Sequence, residues 1–236
     1  MAAERGGADR IELCDALYDG GTTPSAGTIA LCRERVSIPI HILVRPRGGD
    51  FLYSDAEIDV MRRDIAFARE LGAEGVVIGA LQRDGRVDAR RTAHLVERAR
   101  PMRVTFHRAF DVTRDADEAL DALIDAGVDI VLTSGQAPTA VEGASRIAAV
   151  VQRARGRIGV LAGGGITSEN VARVVEETEV REVHARGAVR VPSAMEFRNR
   201  AVTFAKALPA DDHDRTSTSE AEIARLAAAL VGAGVR

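Results

Sequence analysis

Seven short runs rich in β-branched residues alternate along this chain with longer amphipathic stretches, and this alternation limits the folds available to it. A crossover between parallel strands needs a dozen or more residues and usually contains a helix. The alternation therefore predicts an α/β fold, in which helices wrap a parallel sheet. The predicted strands span residues 9–14, 39–46, 74–81, 103–110, 129–135, 157–165 and 180–186.

The length of the chain fits a single domain. With 236 residues the chain can bury a large core without dividing, and barrels of this size are commonly one domain. The polar stretch 208–219 reads as a linker, and the periodic apolar pattern of 220–236 predicts a C-terminal helix. We therefore expect one domain over residues 1–236, with the linker and the helix at its end.

Both a (β/α)8 TIM barrel and an open doubly wound sheet satisfy such an alternation. A barrel gathers every strand end around one mouth, whereas an open sheet concentrates its chemistry at one switch point. Polar or ionisable residues stand at the carboxyl ends of most predicted strands, which favours the TIM barrel. These residues are Glu12, Cys14, Arg45, His107, Thr133, Ser134 and His184.

The composition argues against nucleic acid and membrane partners. The net charge is -3 at pH 7 and the sequence pI is near 6.0, so no overall positive field attracts polyanions or anionic lipid. Tryptophan is absent, which disfavours a platform for base stacking. Because two cysteines build no disulfide framework and the N-terminus does not read as a signal peptide, we expect a cytoplasmic location.

The alternation of side chains along a strand predicts which residues face the barrel interior. In this pattern Arg45 and His107 point inward near the mouth, and Arg108 points outward. Asp111 lies in the loop beyond, where it either contacts a ligand or caps the next helix, a role for which Asp115 competes. The residues predicted to face the helices are Ile40, Ile42, Val44, Val104 and Phe106.

Several strings occur in one order along the chain: "GGADRIELC", "RPRGGDFLYS", "TFHRAFD", "LTSG" and "GGGIT". Together they resemble the CutC family, whose members have long been called copper homeostasis proteins, from about Gly6 to about Asn199. This resemblance implies a cytosolic TIM-barrel-like protein that is commonly a homodimer. It also implies a role in copper handling and copper(I) binding, with no enzymatic reaction settled.

The chain departs from the family pattern at its beginning. Family members usually start with a further strand followed by most of a helix, whereas this chain starts inside that helix. We therefore predict a (β/α)8-type barrel that lacks its first strand and most of its first helix. The edges of strands 9–14 and 180–186 are then left unpaired, unless the C-terminal tail or a partner covers them.

Copper(I) prefers thiolate ligands, with imidazole as a second choice. Cys14 is the one thiol at a strand end, so it is the candidate copper(I) ligand, whereas Cys32 lies within a predicted helix. A cysteine at such a position is also commonly a small buried hydrophobe. The copper role is therefore what the resemblance implies, with Cys14 as its candidate ligand.

The mouth also offers the groups of an enzyme or of a site for a small anionic ligand. Glu12, Arg45 and His107 are the candidate catalytic residues, for acid/base chemistry on a phosphorylated or carboxylated metabolite. The candidate ligand-binding residues are Asp111, Ser134, Gly163, Gly164, Gly165 and His184. The glycine run is equally well explained as a tight turn that requires positive φ. A non-catalytic protein that acts through its dimer surface stays a further alternative.

The other histidines receive structural interpretations. His41 lies deep in its strand and is expected to be a core histidine rather than a ligand. His94 on a helix and His213 in the linker are expected to be solvated.

Overall fold

The computed structural model describes residues 1–199, 201–202 and 214–234, so His213 lies outside the described residues. All seven predicted strands are present and confirm the α/β prediction. They are β1 (Ile11–Leu13), β2 (Ile40–Leu43), β3 (Gly75–Ile78), β4 (Arg103–Phe106), β5 (Ile130–Thr133), β6 (Gly159–Gly163) and β7 (Glu182–His184).

The seven strands form one parallel sheet in the order of the chain, from β1 to β7. The side chains predicted to face the helices, such as Ile42 and Phe106, are fully buried in the main core between sheet and helices. On the opposite, interior face, Ile130, Leu132 and Leu161 form a separate buried layer. The sheet therefore has two apolar faces, as expected of a barrel-like parallel sheet.

Helices connect successive strands, and several begin at a residue whose side chain caps the first turn. Ser54 and Glu57 form a capping box, and Asp115 accepts hydrogen bonds from the backbone N–H groups of Asp117 and Glu118. The helices are α1 (Ala2–Arg5), α2 (Ala26–Arg35), α3 (Asp55–Glu70), α4 (Ala89–Ala99), α5 (Ala116–Asp125), α6 (Ala144–Ala154), α7 (Val171–Thr178) and α8 (Glu220–Gly232). Within the described part of the chain, no helix is both long and apolar enough to cross a membrane.

The outer edges of β1 and β7 make no strand pairing within the described residues, as the seven-strand prediction requires. The sheet nevertheless curls until side chains from the two edges meet. Arg10 Nη2 lies 2.5 Å from Glu182 Oε2, and His184 Nε2 lies 3.5 Å from Glu12 Oε2. We call this junction of residues 10, 12, 182 and 184 the seam.

The C-terminal segment differs from the predicted linker. Residues 208–213 lie outside the described ranges, but Arg215–Thr218 forms a strand, β9, which pairs antiparallel with β8 (Ala188–Val191). The alternating pattern of this polar stretch fits an exposed ribbon, so its description as a linker is wrong over these residues. The following helix α8 places Ile223 against Gly6, which precedes β1, and against Gly187, which follows β7.

Candidate functional site

His107 stands where β4 ends and a 3-10 helix, Arg108–Val112, begins. Its Nδ1 accepts a hydrogen bond of 3.1 Å from the backbone N–H of Ala109, so in the neutral ring the proton is on Nε2. The side chain is 7% exposed, and Nε2 has no hydrogen-bond partner among the described residues. The fold therefore presents a fixed and unpaired imidazole donor at the mouth.

The pocket around this imidazole is apolar on one side and positively charged on another. The ring of Phe51 lies 4.9 Å from the imidazole ring, and a Cβ atom on Gly79 would come within 2.2 Å of its Cε1. Burial, with the charge of Arg45 adding to it, lowers the pKa of His107 to about 3. The buried ring therefore stays neutral at neutral pH.

Arg45 is also buried, and its guanidinium holds two loops of the mouth. Nη1 donates to the carbonyl oxygens of Asp19 and Gly21, each at 2.7 Å, and Nη2 donates to Gly49 at 2.8 Å. These bonds hold the loop that carries Phe51, whose ring lies 5.2 Å from the guanidinium carbon. Arg45 therefore orders the loops, and its Nε has no hydrogen-bond partner among the described residues.

Asp111 and Ser134 form a polar network beside the 3-10 helix. The carboxylate of Asp111 accepts hydrogen bonds from the Thr133 hydroxyl at 2.5 Å and from the backbone N–H and hydroxyl of Ser134 at 3.0 and 2.9 Å. The cap of α5 is Asp115, so Asp111 does not cap this helix. The donors of Thr133 and Ser134 occupy the carboxylate oxygens of Asp111. Asp111 therefore positions the end of β5 at the mouth.

Arg108 lies in the same network, and the prediction that it points outward is wrong. Its Nε donates to Asp111 Oδ2 at 2.7 Å and its Nη2 to Ser134 Oγ at 2.6 Å. The strand ends at Phe106, and the 3-10 helix that follows turns the next side chains away from the alternation of the strand. The side chain of Arg108 therefore lies at the mouth.

The glycine run after β6 lies against this network. Gly164 and Gly165 have φ angles of +102° and +71°, a region that side chains other than hydrogen disfavour. A Cβ atom on Gly164 would lie 3.1 Å from the Cβ of Ser134 and 3.3 Å from the guanidinium carbon of Arg108. The turn is therefore tight, as one interpretation required, and it also brings the backbone close to a charged side chain. Gly163 is the last residue of β6 and packs on His184.

Of the remaining predicted residues, Glu12 and His184 belong to the seam, and Cys14 directly follows β1. Glu12 faces His184, and Glu12 is not among the groups whose charges shift the pKa of His107. Burial and the nearby carboxylate of Glu12 raise the pKa of the Cys14 thiol to about 11, so the thiolate is disfavoured at neutral pH. Within the described ranges, no group of three His, Cys, Asp or Glu side chains is arranged to hold a metal ion.

Sequence reasoning missed three contributors to the site: Arg108, Phe51 and Gly79. A glycine within a predicted strand signals that another group approaches the backbone closely, and Gly79 of "GVVIGAL" carries that signal. No comparable signal identifies Phe51, because its position depends on the loop that Arg45 holds. The other histidines agree with their interpretations: His41 is buried in the sheet interior, and His94 is exposed on α4.

Comparisons with known proteins agree on one family. The sequence model of the CutC family matches residues 1–189. A protein of Homo sapiens named copper homeostasis protein cutC homolog is 45% identical over 95% of this chain and 82% of its own length. A family protein CutC of Bacteroides fragilis is 45% identical over 93% of this chain and 88% of its own length.

Solved structures give the same result for the fold. The putative copper homeostasis protein CutC from Streptococcus agalactiae is similar with a TM-score of 0.73 and 35% identity, over 75% of this chain and 88% of that chain. QR15, an aldolase, is similar with a TM-score of 0.58 and 17% identity, over 77% of this chain and 79% of that chain. The aldolase likeness shows the TIM-barrel-like fold alone.

Proposed function

This chain belongs to the CutC family, and we propose that it shares the copper homeostasis role for which its relatives are named and that its mouth binds a small anionic molecule. One observation carries the second part. The guanidinium of Arg45 is buried, and no carboxylate of the described residues lies within ion-pair distance of it. A buried charge without a counter-ion is costly, and an anionic ligand supplies the missing charge.

His107 indicates where an acceptor oxygen of such a ligand would lie. Its Nε2–H is buried beside Arg45 without an acceptor, and an unpaired buried donor costs about 1–3 kcal/mol. A carboxylate, phosphate or carbonyl oxygen placed at Nε2 removes that cost. The two groups therefore support a ligand that carries negative charge and an oxygen acceptor.

An enzyme that acts on a phosphorylated or carboxylated metabolite is the second candidate. A neutral imidazole donor can polarise a carbonyl or carboxylate oxygen without transferring a proton, and the Nε2–H of His107 has that form. The same neutrality argues against an imidazolium acid at physiological pH, because the pKa of His107 is about 3. Polarisation therefore has more support here than acid/base chemistry shared with Glu12.

Copper(I) enters the proposal as cargo handled by the family, and the residues of this chain offer it few ligands. Cys14 is partly buried, and its raised pKa opposes the thiolate form that binds copper(I). If the chain binds copper(I), Cys14 is the residue that we expect to ligate it. The homodimer and the cytoplasmic location stay predictions.

Equilibrium dialysis of the protein against a metabolite extract tests the anion proposal. We expect at least one anionic compound to be enriched by the wild type and by His94→Phe, whose parent residue is exposed on α4, but not by His107→Phe. The phenylalanine keeps a ring against Phe51 and removes the Nε2 donor. Equal enrichment by all three folded proteins, or no enrichment by the wild type, would contradict the proposal.

Competition with a chromophoric copper(I) chelator tests the copper part. We expect weak competition by the wild type and little change in Cys14→Ser, with Cys32→Ser as the matched control. Tight, stoichiometric copper(I) binding that Cys14→Ser abolishes would instead make the mouth a copper site.

A further inference from the structure

Hydrogen bonds hold the guanidinium of Arg108 in one orientation and leave one of its nitrogen atoms without an acceptor among the described residues. Nε and Nη2 bond to Asp111 and Ser134, and Nη2 also lies 3.4 Å from the carbonyl oxygen of Ala137. Nη1 makes no hydrogen bond with the described residues, and the side chain is 42% exposed. Two N–H groups of an ordered cation are therefore available to a ligand at the mouth.

The turn after β6 adds backbone donors beside this cation. Within the described part of the chain, the N–H groups of Gly164, Gly165 and Ile166 donate to no acceptor. The turn itself is fixed, because Asn170 Nδ2 donates to the Gly165 carbonyl at 2.8 Å and the Ala140 N–H donates to the Gly164 carbonyl at 2.8 Å. Successive unpaired N–H groups in a turn of positive φ form the kind of concavity that binds anions.

The packing of Gly164 brings the two sets of donors together. Its Cα is so close to Arg108 that a Cβ atom there would lie 3.3 Å from Nη1. Asp111 contributes the opposing negative charge, but Arg108 Nε, the Ser134 N–H and the Thr133 hydroxyl already occupy its oxygens. Five N–H groups remain, two on Arg108 Nη1 and three in the backbone of residues 164–166. They outnumber the roughly four acceptor sites of a carboxylate, whereas the three terminal oxygens of a phosphoryl group can accept all of them.

We propose that Arg108 Nη1 and the backbone of residues 164–166 bind a phosphoryl group of the ligand. This inference rests on the proposed function and names the chemical class of its ligand, a phosphorylated small molecule. Arg45 and His107 then contact the rest of that molecule.

Phosphorus NMR or calorimetric titration with inorganic phosphate tests the subsite. We expect Arg108→Gln to weaken phosphate binding by about tenfold or more, because a charge-assisted donor is lost. Arg173→Gln is the matched control, since it removes an equal charge from the exposed surface of α7, and we expect less than about twofold change from it. Equal weakening by both variants, or by neither, would overturn the proposal.

Two further variants cover the case in which Arg108→Gln disturbs folding. Arg108→Lys keeps the charge but cannot reproduce three separately directed nitrogens, and Gly164→Ala places a methyl group against Arg108. We expect both to weaken phosphate binding, and full binding by both would overturn the proposal. His107→Phe should still bind phosphate. If phosphate binding depends on Arg108 but no metabolite is enriched in a way that depends on His107, the proposed function alone is contradicted. If a metabolite is enriched through His107 but phosphate binding does not depend on Arg108, this inference alone is contradicted.

Discussion

Arg10 and Glu182 join the first and last strands of the sheet through their side chains, with Arg10 Nη2 2.5 Å from Glu182 Oε2. The strands that they flank make no backbone pairing across this junction within the described residues. Glu12 and His184 face each other one pleat further toward the mouth. At the seam, side chains therefore join the two edges of the sheet, where a closed barrel uses backbone hydrogen bonds.

Removal of either partner of this pair should destabilise the fold. Both side chains are half-buried, so we expect Arg10→Ala and Glu182→Ala each to lower the free energy of unfolding by about 1 kcal/mol, with most of this loss shared in the double variant. Urea denaturation measures these values. The exposed pair Arg62 and Asp59 is the control, with an expected coupling below about 0.5 kcal/mol. Additive losses at the seam would show that the pair does not act as a unit.

Gly79 should be required for the orientation of His107. A methyl group at this position would come within 2.2 Å of the imidazole, and the surrounding pocket is buried. We expect Gly79→Ala to cost about 1–3 kcal/mol in stability through overpacking and to abolish ligand enrichment. Gly232→Ala is the control, because nothing lies near its added methyl group in α8, and its stability should be unchanged or slightly raised. Thermal melts compare the variants, and a silent Gly79→Ala would contradict this account of the pocket.

Asp111 should matter for stability as much as for binding. Asp111→Asn keeps the shape but replaces one acceptor oxygen with an amide that faces the donors of Ser134 and Arg108. We expect a loss of about 2–4 kcal/mol in the free energy of unfolding, measured by urea denaturation. Asp59→Asn, whose parent carboxylate pairs with the exposed Arg62 among the described residues, should change it little. A loss no larger than that of Asp59→Asn would mean that the network at the strand end is not needed for folding.

The strands could be predicted from the sequence because each is a short buried run between turn and helix signals. The side chains predicted to face the helices, including Ile42 and Phe106, do so, since period-two alternation holds wherever the chain stays extended. Arg108 fails the same rule one residue beyond His107, where the chain leaves the strand. The rule is therefore valid up to the strand end and not past it.

The partners of the site residues could not be predicted in the same way. The position of Arg45 at a strand end identifies it as a candidate site residue, but its bonds to Asp19, Gly21 and Gly49 depend on loops that are distant from it in sequence or of irregular shape. The pKa of His107 depends on burial under Phe51, which is set by those loops. Residue type and spacing identify which groups reach the mouth, whereas loop conformation decides which hydrogen-bond donors and acceptors of each group stay unpaired.

The stability of the protein should fall in mild acid because two buried histidines are neutral. Burial lowers the pKa of His107 to about 3 and that of His41 to about 4, whereas an unfolded histidine titrates near 6.5. Between these values the unfolded chain binds more protons, so the stabilisation is complete above about pH 6.5 and is lost as the pH falls toward the folded values. From pH 7.5 to 5.0 we expect the two histidines together to lower the free energy of unfolding by about 2–4 kcal/mol, since each pKa unit corresponds to about 1.4 kcal/mol.

Urea denaturation at the two pH values measures this loss. His107→Gln should remove about half of it, and His94→Gln, at an exposed position on α4, is the control for replacing a histidine. Equal pH dependence in the wild type and His107→Gln would mean that the imidazole of His107 is not held neutral by burial.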